Sequence, residues 1–247
     1  MLYRHPTLLN RPVRWLSCGG TNDTGVQAAI DVVPMTWQSA WYWHRQVQPL
    51  IDKHYIREQD RRPGKDVFAG VRADVRWRWP TYFALAAGWN RARPGAAPAE
   101  RAVAWCVTAA TEDGPIPIGM LTAVPAYAPP YLGEHAKLGF VWFLSDAPAE
   151  HYQLNGLPKM FGVAYTLLDI AVQSRLDLGE DASIFLHADP AGGPKLIAFY
   201  ETKCRMTRLW HEKRLSAVRS IVPGEYFAMT AEQANEFCAR FDALRTE

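Results

Sequence analysis

The chain has 247 residues, of which 49% are hydrophobic and 21% are charged, as in an ordinary globular protein. It contains no apolar run near the roughly 20 residues that span a membrane, and its N-terminus lacks the pattern of a secretory signal. A formal net charge of +2 is weak for a nucleic-acid partner, and four widely spaced cysteines do not form a zinc-site pattern. These features predict a cytoplasmic globular protein without a metal site.

Residues 1–27 show no hydrophobic periodicity. Their prolines and the run Cys-Gly-Gly-Thr-Asn predict an irregular arm that lies over the rest of the fold. The segment AIDVVPM, which ends beside Pro34, then predicts the first strand. We therefore expect one folded domain over residues 28–247.

Two helical units follow this strand. Thr36 has the chemistry of an N-cap, and apolar residues at helical spacing over residues 37–51 predict an amphipathic helix that Pro49 interrupts. The tract over residues 66–92 predicts two more helical pieces, divided before Pro80. Five tryptophans in these units form either hydrophobic core or the aromatic wall of a bulky acceptor site. They are Trp37, Trp41, Trp43, Trp77 and Trp79.

A hairpin and a long strand occupy the middle of the chain. The runs RAVAWCVTAA and IPIGMLTAVPAY flank Asp113-Gly114, and this dipeptide favours a tight turn between antiparallel strands. KLGFVWFLSDAP, over residues 137–148, is rich in aromatic and branched residues and predicts a buried strand.

The next helix is predicted over residues 158–179, because apolar side chains recur there at helical spacing. Pro158 suits its first turn and Gly179 suits its end. ASIFLHADP then predicts a strand, and GGPKLIAFYETK predicts a short helix that ends at Tyr200.

The C-terminal part predicts two strands and a helix. The strands are expected in CRMTRLWHE and AVRSIVPGEYFAM, which carry branched and aromatic residues. Thr230 and Gln233 then form a capping-box pattern at the start of a helix that continues through Phe237 and Phe241.

Two motifs in the second half of the chain resemble the GCN5-related N-acetyltransferases (GNATs). The run KMFGVA over residues 159–164, followed by the Leu pair at 167–168, is similar to that family's pyrophosphate loop. The run PKLIAFYE over residues 194–201 is similar to the family's ending N-x-x-A-x-x-F-Y-E. The two motifs occur in the family's order, one helix and one strand apart.

The resemblance implies an α/β (α+β) domain with a mixed, twisted central sheet of about seven strands flanked by helices, and acetyl-CoA as co-substrate. Residues 28–95 would form the helical acceptor side, and residues 137–206 the acyl-CoA-binding core. The cofactor would bind the backbone of the long strand and the loop before the helix. The implied cofactor-binding residues are Phe143, Leu144, Ser145, Lys159, Met160, Phe161, Gly162, Val163, Ala164 and Phe199.

A helix N-terminus suits a pyrophosphate, because its unpaired N–H groups and its dipole attract anions. Gly162 and Ala164 are small enough to let the backbone approach the phosphates. Lys159 replaces the family's Gln or Arg, which retains the positive charge but loses the planar guanidinium fork. A competing register begins at Gln153, but the Leu pair at 167–168 favours the register that begins at Lys159.

By resemblance, Tyr200 protonates the leaving CoA thiolate, which a phenol can do without a perturbed pKa. The base that accepts a proton from the amine is less evident. Asp146 and His151 are the candidates, and Asp146 is the predicted partner of Tyr200. Three further residues near the long strand, Glu134, His135 and Glu150, are equally typical of solvated loops.

The sequence therefore predicts an acetyl-CoA-dependent N-acetyltransferase that transfers the acetyl group directly to an amine of a small molecule or protein, and a homodimer stays open. Two alternatives stay open. The excess of Lys and Arg in the first hundred residues favours a GNAT-like enzyme that acts on nucleic acid or aminoacyl-tRNA. The substitution at Lys159 and the unassigned base favour a non-catalytic acyl-CoA-binding module.

Overall fold

The computed structural model describes residue 5 and residues 9–19, 26–62, 68–129, 137–210 and 225–245. The strands within them are β1 (Trp15–Ser17), β2 (Gln27–Pro34), β3 (Tyr55–Ile56), β4 (Gly70–Val71), β5 (Val103–Ala109), β6 (Ile116–Tyr127), β7 (Leu138–Asp146), β8 (Ile184–His187), β9 (Thr207–Leu209) and β10 (Tyr226–Met229). Eight of them form one sheet in the order β1-β2-β5-β6-β7-β8-β10-β9.

This large sheet is mixed. β7 and β8 are parallel, and the other neighbouring strands are antiparallel. The short strands β3 and β4 form a separate parallel pair. The predicted α/β fold with a mixed central sheet is thus confirmed, with eight strands in the described residues rather than about seven.

The additional strand is β1, which lies within the predicted irregular arm. Its central residue Leu16 is buried, as is Cys18 just beyond it, whereas Ser17 between them is exposed. This alternation over three positions is too short to be seen in the sequence, but it is enough for an edge strand to pair with β2.

Seven α-helices surround the sheet in the described residues. They are α1 (Trp37–Tyr42), α2 (Gln48–His54), α3 (Trp79–Ala92), α4 (Ala149–Leu154), α5 (Val163–Leu176), α6 (Gly193–Ala198) and α7 (Ala231–Ala239). On one face, Val163 of α5 packs against Gly119 of β6, where a Cβ atom would lie only 2.7 Å from the valine. On the opposite face, Trp89 of α3 contacts Trp142 of β7, with ring centroids 5.2 Å apart.

The structure contains the helix caps predicted at Thr36 and Thr230 and the predicted hairpin turn. Thr36 and Ser39 form a capping box at α1, and Thr230 and Gln233 form one at α7. The hairpin between β5 and β6 turns at Gly114, which has a φ of 110° that favours glycine.

The helical prediction for residues 66–92 is wrong in its first part. Residues 68–78 form β4 and a turn, and α3 begins only at Trp79. Polar and apolar side chains alternate from Val71 to Trp77, and in the structure the polar set includes two buried or half-buried charges, Arg72 and Asp74. Their ion pairs hold this segment in an irregular path that a helix could not provide.

Two proline predictions also need correction. Pro158 precedes α5 rather than occupying its first turn, because the helix starts five residues later at Val163. Pro49 lies in the first turn of α2, and the interruption that we predicted at this proline is a π-helical segment, Trp43–Val47, just before it.

Helix α5 carries buried charges that are paired by distant parts of the chain. Asp169 is fully buried and receives two hydrogen bonds from Arg245, at 2.5 and 3.0 Å. Arg175, also buried, donates to the carbonyl oxygens of Pro125 and Lys137 and to the carboxylate of Asp181. We refer to Asp169, Arg175, Asp181 and Arg245 as the helix cluster.

In the part of the chain that the structure describes, every helix is too short or too polar to cross a bilayer.

Candidate active site

The parallel strands β7 and β8 separate after a short paired stretch. They pair from Gly139 and Ile184 to Val141 and Leu186, and β7 then continues to Asp146 beside β6 without β8. A bulge accompanies this separation, since Val141 and Phe143 oppose consecutive residues of β6 and leave Trp142 as the extra residue. The bulge bends β7 away from β8 and opens a gap in the sheet.

A cavity of about 300 Å³ occupies this gap. Its walls come from the ends of β7 and β8, the start of α5, helix α6 with the segment after it, and the turn after β4. The lining residues are Val71, Arg72, Ala73, Asp74, Trp77, Val141, Trp142, Phe143, Leu144, Ser145, Asp146, Ala164, Leu186, His187, Asp189, Gly192, Lys195, Leu196, Phe199 and Tyr200.

Helix α5 begins beside this cavity without a side-chain cap in the described structure. Gly162 is its N-cap residue, with a φ of 88° in the left-handed region that favours glycine. Ala164 in the first turn lines the cavity. The N–H groups of the first helical turn have no partner within their own helix, so they can bind an anion. Helix α5 thus begins within the run that starts at Lys159, and the assignment of that run to a pyrophosphate loop stays a prediction.

The structure divides the predicted cofactor-binding residues into three groups. Five of them line the cavity: Phe143, Leu144, Ser145, Ala164 and Phe199. Met160 and Val163 turn their side chains into the hydrophobic core, and Gly162 forms the helix start. Lys159 and Phe161 are exposed outside the cavity, with the Lys159 ammonium 5.4 Å from the Phe161 ring centroid.

The loop before α5 is held by β1. The Phe161 N–H donates to the carbonyl oxygen of Ser17, and the Gly19 N–H donates to that of Lys159. These two hydrogen bonds fix the path of the chain as it enters α5. They do not involve the N–H groups in the first turn of that helix.

Tyr200 is brought into the cavity by a π-helical segment, Phe199–Lys203, that continues from α6. Its side chain is only 5% exposed, and its ring lies 5.5 Å from that of Phe227. Burial, with the nearby Cys204, Asp74 and Asp146, raises the pKa of the Tyr200 hydroxyl above its usual value of about 10. The phenol therefore keeps its proton across the neutral range and can act as an acid.

One wall of the cavity carries a charged network. Arg72 donates to both carboxylate oxygens of Asp74, at 2.8 and 2.7 Å, and to the side chain of Asp146 at 3.0 Å. The Ser145 hydroxyl donates to Asp74 at 2.5 Å. We refer to Arg72, Asp74, Ser145 and Asp146 as the cavity cluster. The two carboxylates hold the pKa of Arg72 above its ordinary value despite its burial.

The residues predicted as candidate bases lie in different parts of the structure. Asp146 lines the cavity but is paired with Arg72. His151 is buried on α4, where its Nε2 lies 3.1 Å from the carbonyl oxygen of Pro117, and burial lowers its pKa. Glu150 lies outside the cavity near Tyr55 and His54. Glu134 and His135 lie outside the described residues.

Sequence reasoning missed a histidine that does line the cavity. His187 ends β8, and its Nε2 lies 2.8 Å from the carboxylate of Glu225, which precedes β10. The two side chains are 5% and 12% exposed. In the sequence, these residues are separated by 38 positions, and His187 is simply the last residue of an apolar strand.

The five tryptophans do not act as one group. Trp77 lines the cavity, whereas Trp43 and Trp79 are fully buried in the core with ring centroids 6.2 Å apart. Trp37 and Trp41 are exposed on the surface of α1. A shared aromatic wall around one acceptor site is therefore not present in the structure.

No protein-family model and no curated protein sequence matches this chain. Solved structures that show some similarity to this chain include a variant of the toxin AtaT bound to the C-terminus of the antitoxin AtaR and acetyl-CoA, at 10% identity and a TM-score of 0.44. That match covers 88% of this chain and 99% of the other. The NatC complex bound to Gag peptide and CoA matches at 13% identity and a TM-score of 0.40, over 81% and 95%.

A third structure, of histone acetyltransferase HPA2 and related acetyltransferase from Corynebacterium glutamicum, matches at 12% identity and a TM-score of 0.37, over 81% and 94%. At these low identities and scores, the likeness assigns no residue role in this chain. The mixed α/β architecture is shown by the topology of the chain's own sheet, in which a parallel pair separates around a cavity at the start of α5.

Proposed function

We propose that this protein is an acyl-CoA-dependent acyltransferase that transfers an acetyl group directly to an amine. The observation that carries the proposal is the gap between β7 and β8, because one cavity there contains the N-terminus of α5, the side of β7 that β8 leaves uncovered and a buried phenol. Acyl-CoA has an anionic pyrophosphate, an amide-bearing arm and a thioester, and each of these meets a suitable group there.

The first-turn amides of α5 would bind the pyrophosphate, since they combine unpaired donors with the positive end of the helix dipole. From Phe143 to Ser145, the side of β7 that faces away from β6 would pair with the amide groups of the pantetheine arm, as an added strand does at a sheet edge. One backbone amide near Leu144 would donate to the thioester carbonyl oxygen and stabilise the oxyanion that forms during attack.

Tyr200 would act as the general acid. When the tetrahedral intermediate collapses, the carbon–sulfur bond breaks and the phenol donates its proton to the CoA thiolate. Because burial raises the pKa of Tyr200 above about 10, activity should not decrease on the alkaline side until beyond the ordinary pKa of tyrosine. The Tyr200→Phe variant should lose about 100- to 10,000-fold in kcat.

A thermal-shift titration with acetyl-CoA tests the binding step. We expect the ligand to raise Tm in proportion to its saturation, with about 2.7 kcal/mol of stabilisation at a hundredfold excess over Kd. Gly162→Trp should abolish this shift, because an indole would cover the first-turn amides of α5. Gly179→Trp is the matched control, since Gly179 also has a positive φ, near the other end of the same helix.

A turnover assay that detects free CoA thiol over a panel of amines tests the chemistry. Turnover that depends on Tyr200 would support an acyltransferase. Binding of acetyl-CoA without turnover on any amine would favour the non-catalytic acyl-CoA-binding module. The absence of a thermal shift at millimolar acetyl-CoA would contradict the proposed function.

A further inference from the structure

We infer that His187, oriented by Glu225, is the general base that accepts the proton from the ammonium group of the acceptor. This inference rests on the proposed acyl transfer, for which a base is otherwise unassigned. Three observations support it: the position of His187 in the cavity, the face of the sheet that it occupies, and its pairing with a buried carboxylate.

His187 and Tyr200 reach the cavity from opposite faces of the sheet. Side chains alternate along β8, so His187 shares a face with Phe185, whose ring is stacked on that of Phe140. Phe140 contacts Trp142, which in turn contacts Trp89 of α3. His187 therefore projects from the face that α3 covers.

Tyr200 lies on the other face. Its ring contacts Phe227, which pairs in register with Leu186 and thus alternates with His187. The neighbouring Phe199 contacts Tyr165 of α5. A thioester in the gap would consequently have the acid on the side of α5 and α6, and the base on the side of α3, from which an amine can attack.

The carboxylate of Glu225 holds the His187 ring in an orientation that suits a general base. With Nε2–H donated to Glu225 at 2.8 Å, the neutral imidazole carries its lone pair on Nδ1. The carboxylate orients the ring and stabilises the imidazolium that forms, as the third group does in nucleophile–base–carboxylate systems. The ring of Tyr226 packs 5.0 Å from the imidazole and restricts its rotation.

Other titratable groups on the described cavity wall are already engaged or carry the wrong charge. Asp74 and Asp146 are paired with Arg72, and Asp189 accepts from the backbone N–H of Ala191 as a helix cap. Lys195 is a cation. Among the described residues, the charged or titratable groups that line the same cavity as His187 are Arg72, Asp74, Asp146, Asp189, Lys195 and Tyr200, and Glu225 is in direct contact with it.

His187 and Tyr200 together account for every proton that moves in the reaction. His187 takes one proton from the ammonium, and the free amine attacks the thioester carbon and forms the new carbon–nitrogen bond. The carbon–sulfur bond then breaks, and the thiolate receives the proton of Tyr200. The phenolate recovers a proton from the attacking nitrogen, which leaves a neutral amide, and His187 releases its proton to water.

The test is the pH profile of kcat/KM for acetyl-CoA and an amine that the wild-type protein accepts. His187→Gln can keep the hydrogen bond to Glu225 but cannot accept a proton at neutral pH. We expect it to reduce kcat by about 100- to 10,000-fold and to remove the acidic limb of the profile. Added imidazole should partly restore His187→Ala, which no structural role would predict.

Glu225→Gln provides the sharper measurement. Without the carboxylate, the imidazolium that forms during proton transfer is less stable, so the acidic limb of the profile should move to lower pH. The matched control is His54→Gln, which breaks another His–Glu pair, His54 with Glu150 at 3.8 Å, outside the cavity. This control should leave the pH profile unchanged.

Wild-type turnover with an unchanged profile in both His187 variants would overturn the inference while leaving the proposed acyl transfer intact. Absence of wild-type turnover with every amine would overturn the proposed transfer, and the inference with it. If His187→Gln fails to fold, as judged by Tm, then the Glu225→Gln profile decides between a base and a structural residue.

Discussion

Two arginine–carboxylate clusters in this protein have the same chemistry and different surroundings. In the helix cluster, Asp169 is fully enclosed between α5 and the C-terminal region, and Arg245 supplies both of its ion-pair hydrogen bonds. In the cavity cluster, Arg72 holds Asp74 and Asp146 at the edge of an open space. The helix cluster is part of the protein core, whereas the charged side chains of the cavity cluster line a cavity that a ligand can enter.

The comparison shows that burial alone does not reveal a functional charge. Burial raises the pKa of Asp169, and the paired Arg245 opposes this effect. Nothing in the described structure connects that pair to a cavity. The position of a charge beside a cavity is the better guide, and mutation of the two clusters should separate stability from activity.

The largest effect on stability is expected from Arg245→Met. It leaves Asp169 buried without its cation, so the free energy of unfolding should fall by about 3–5 kcal/mol, measured by urea denaturation. Activity per folded molecule should be unchanged. The double variant Arg245→Met/Asp169→Leu should recover much of the loss, and failure to recover would show that packing rather than charge dominates.

A smaller stability loss and a clear loss of activity are expected from Arg72→Met. Ser145 still donates to Asp74, and water in the cavity can solvate both carboxylates, so the expected loss in unfolding free energy is about 1–3 kcal/mol. Turnover should fall because both carboxylates lose the cation that positions them. If turnover is unchanged in Arg72→Met, the cavity cluster has a structural role and no role in turnover.

Ser145→Ala should cost about 1 kcal/mol in unfolding free energy, because it removes one hydrogen bond from Asp74 while Arg72 keeps the carboxylate paired. Its backbone, which we assign to cofactor binding, is retained. The Kd for acetyl-CoA, measured by calorimetry, should therefore stay close to the wild-type value, and a tenfold rise would show that the side chain itself contacts the ligand.

The smallest effect is expected from Asp31→Ala, which breaks an exposed pair with Arg14. The two side chains are 44% and 67% exposed and 3.4 Å apart, so water and salt screen their attraction. The change in unfolding free energy should be below about 0.5 kcal/mol. A loss comparable to that of Arg245→Met would contradict the distinction between exposed and enclosed pairs.

The central part of the fold could be predicted from local signals. The Asp-Gly turn, the N-cap at Thr36, the capping box at Thr230 and the hydrophobic run of β7 each depend on residues close in sequence, and the structure contains all of them. The start of α5 was predicted less well, because the helix begins at Val163 and not near Pro158.

The remaining features depend on residues that are far apart in the chain. The bulge at Trp142 arises from the register between β6 and β7, and the irregular path after β4 depends on contacts between Arg72 and Asp146. His187 becomes a candidate base only because Glu225 reaches it across the sheet. No local pattern contains this information, so the sequence alone offered only Asp146 and His151 as candidate bases.

The pairing of Arg245 with Asp169 also bears on how the protein matures. Ribosomes release a chain from its N-terminus onward, so α5 emerges 69 or more residues before the cation that neutralises its buried carboxylate. Until then, the nascent domain must hold Asp169 hydrated or protonated. Closure of the core is thus a late event in biosynthesis, and a chain released before residue 245 would expose this helix to chaperones and proteases.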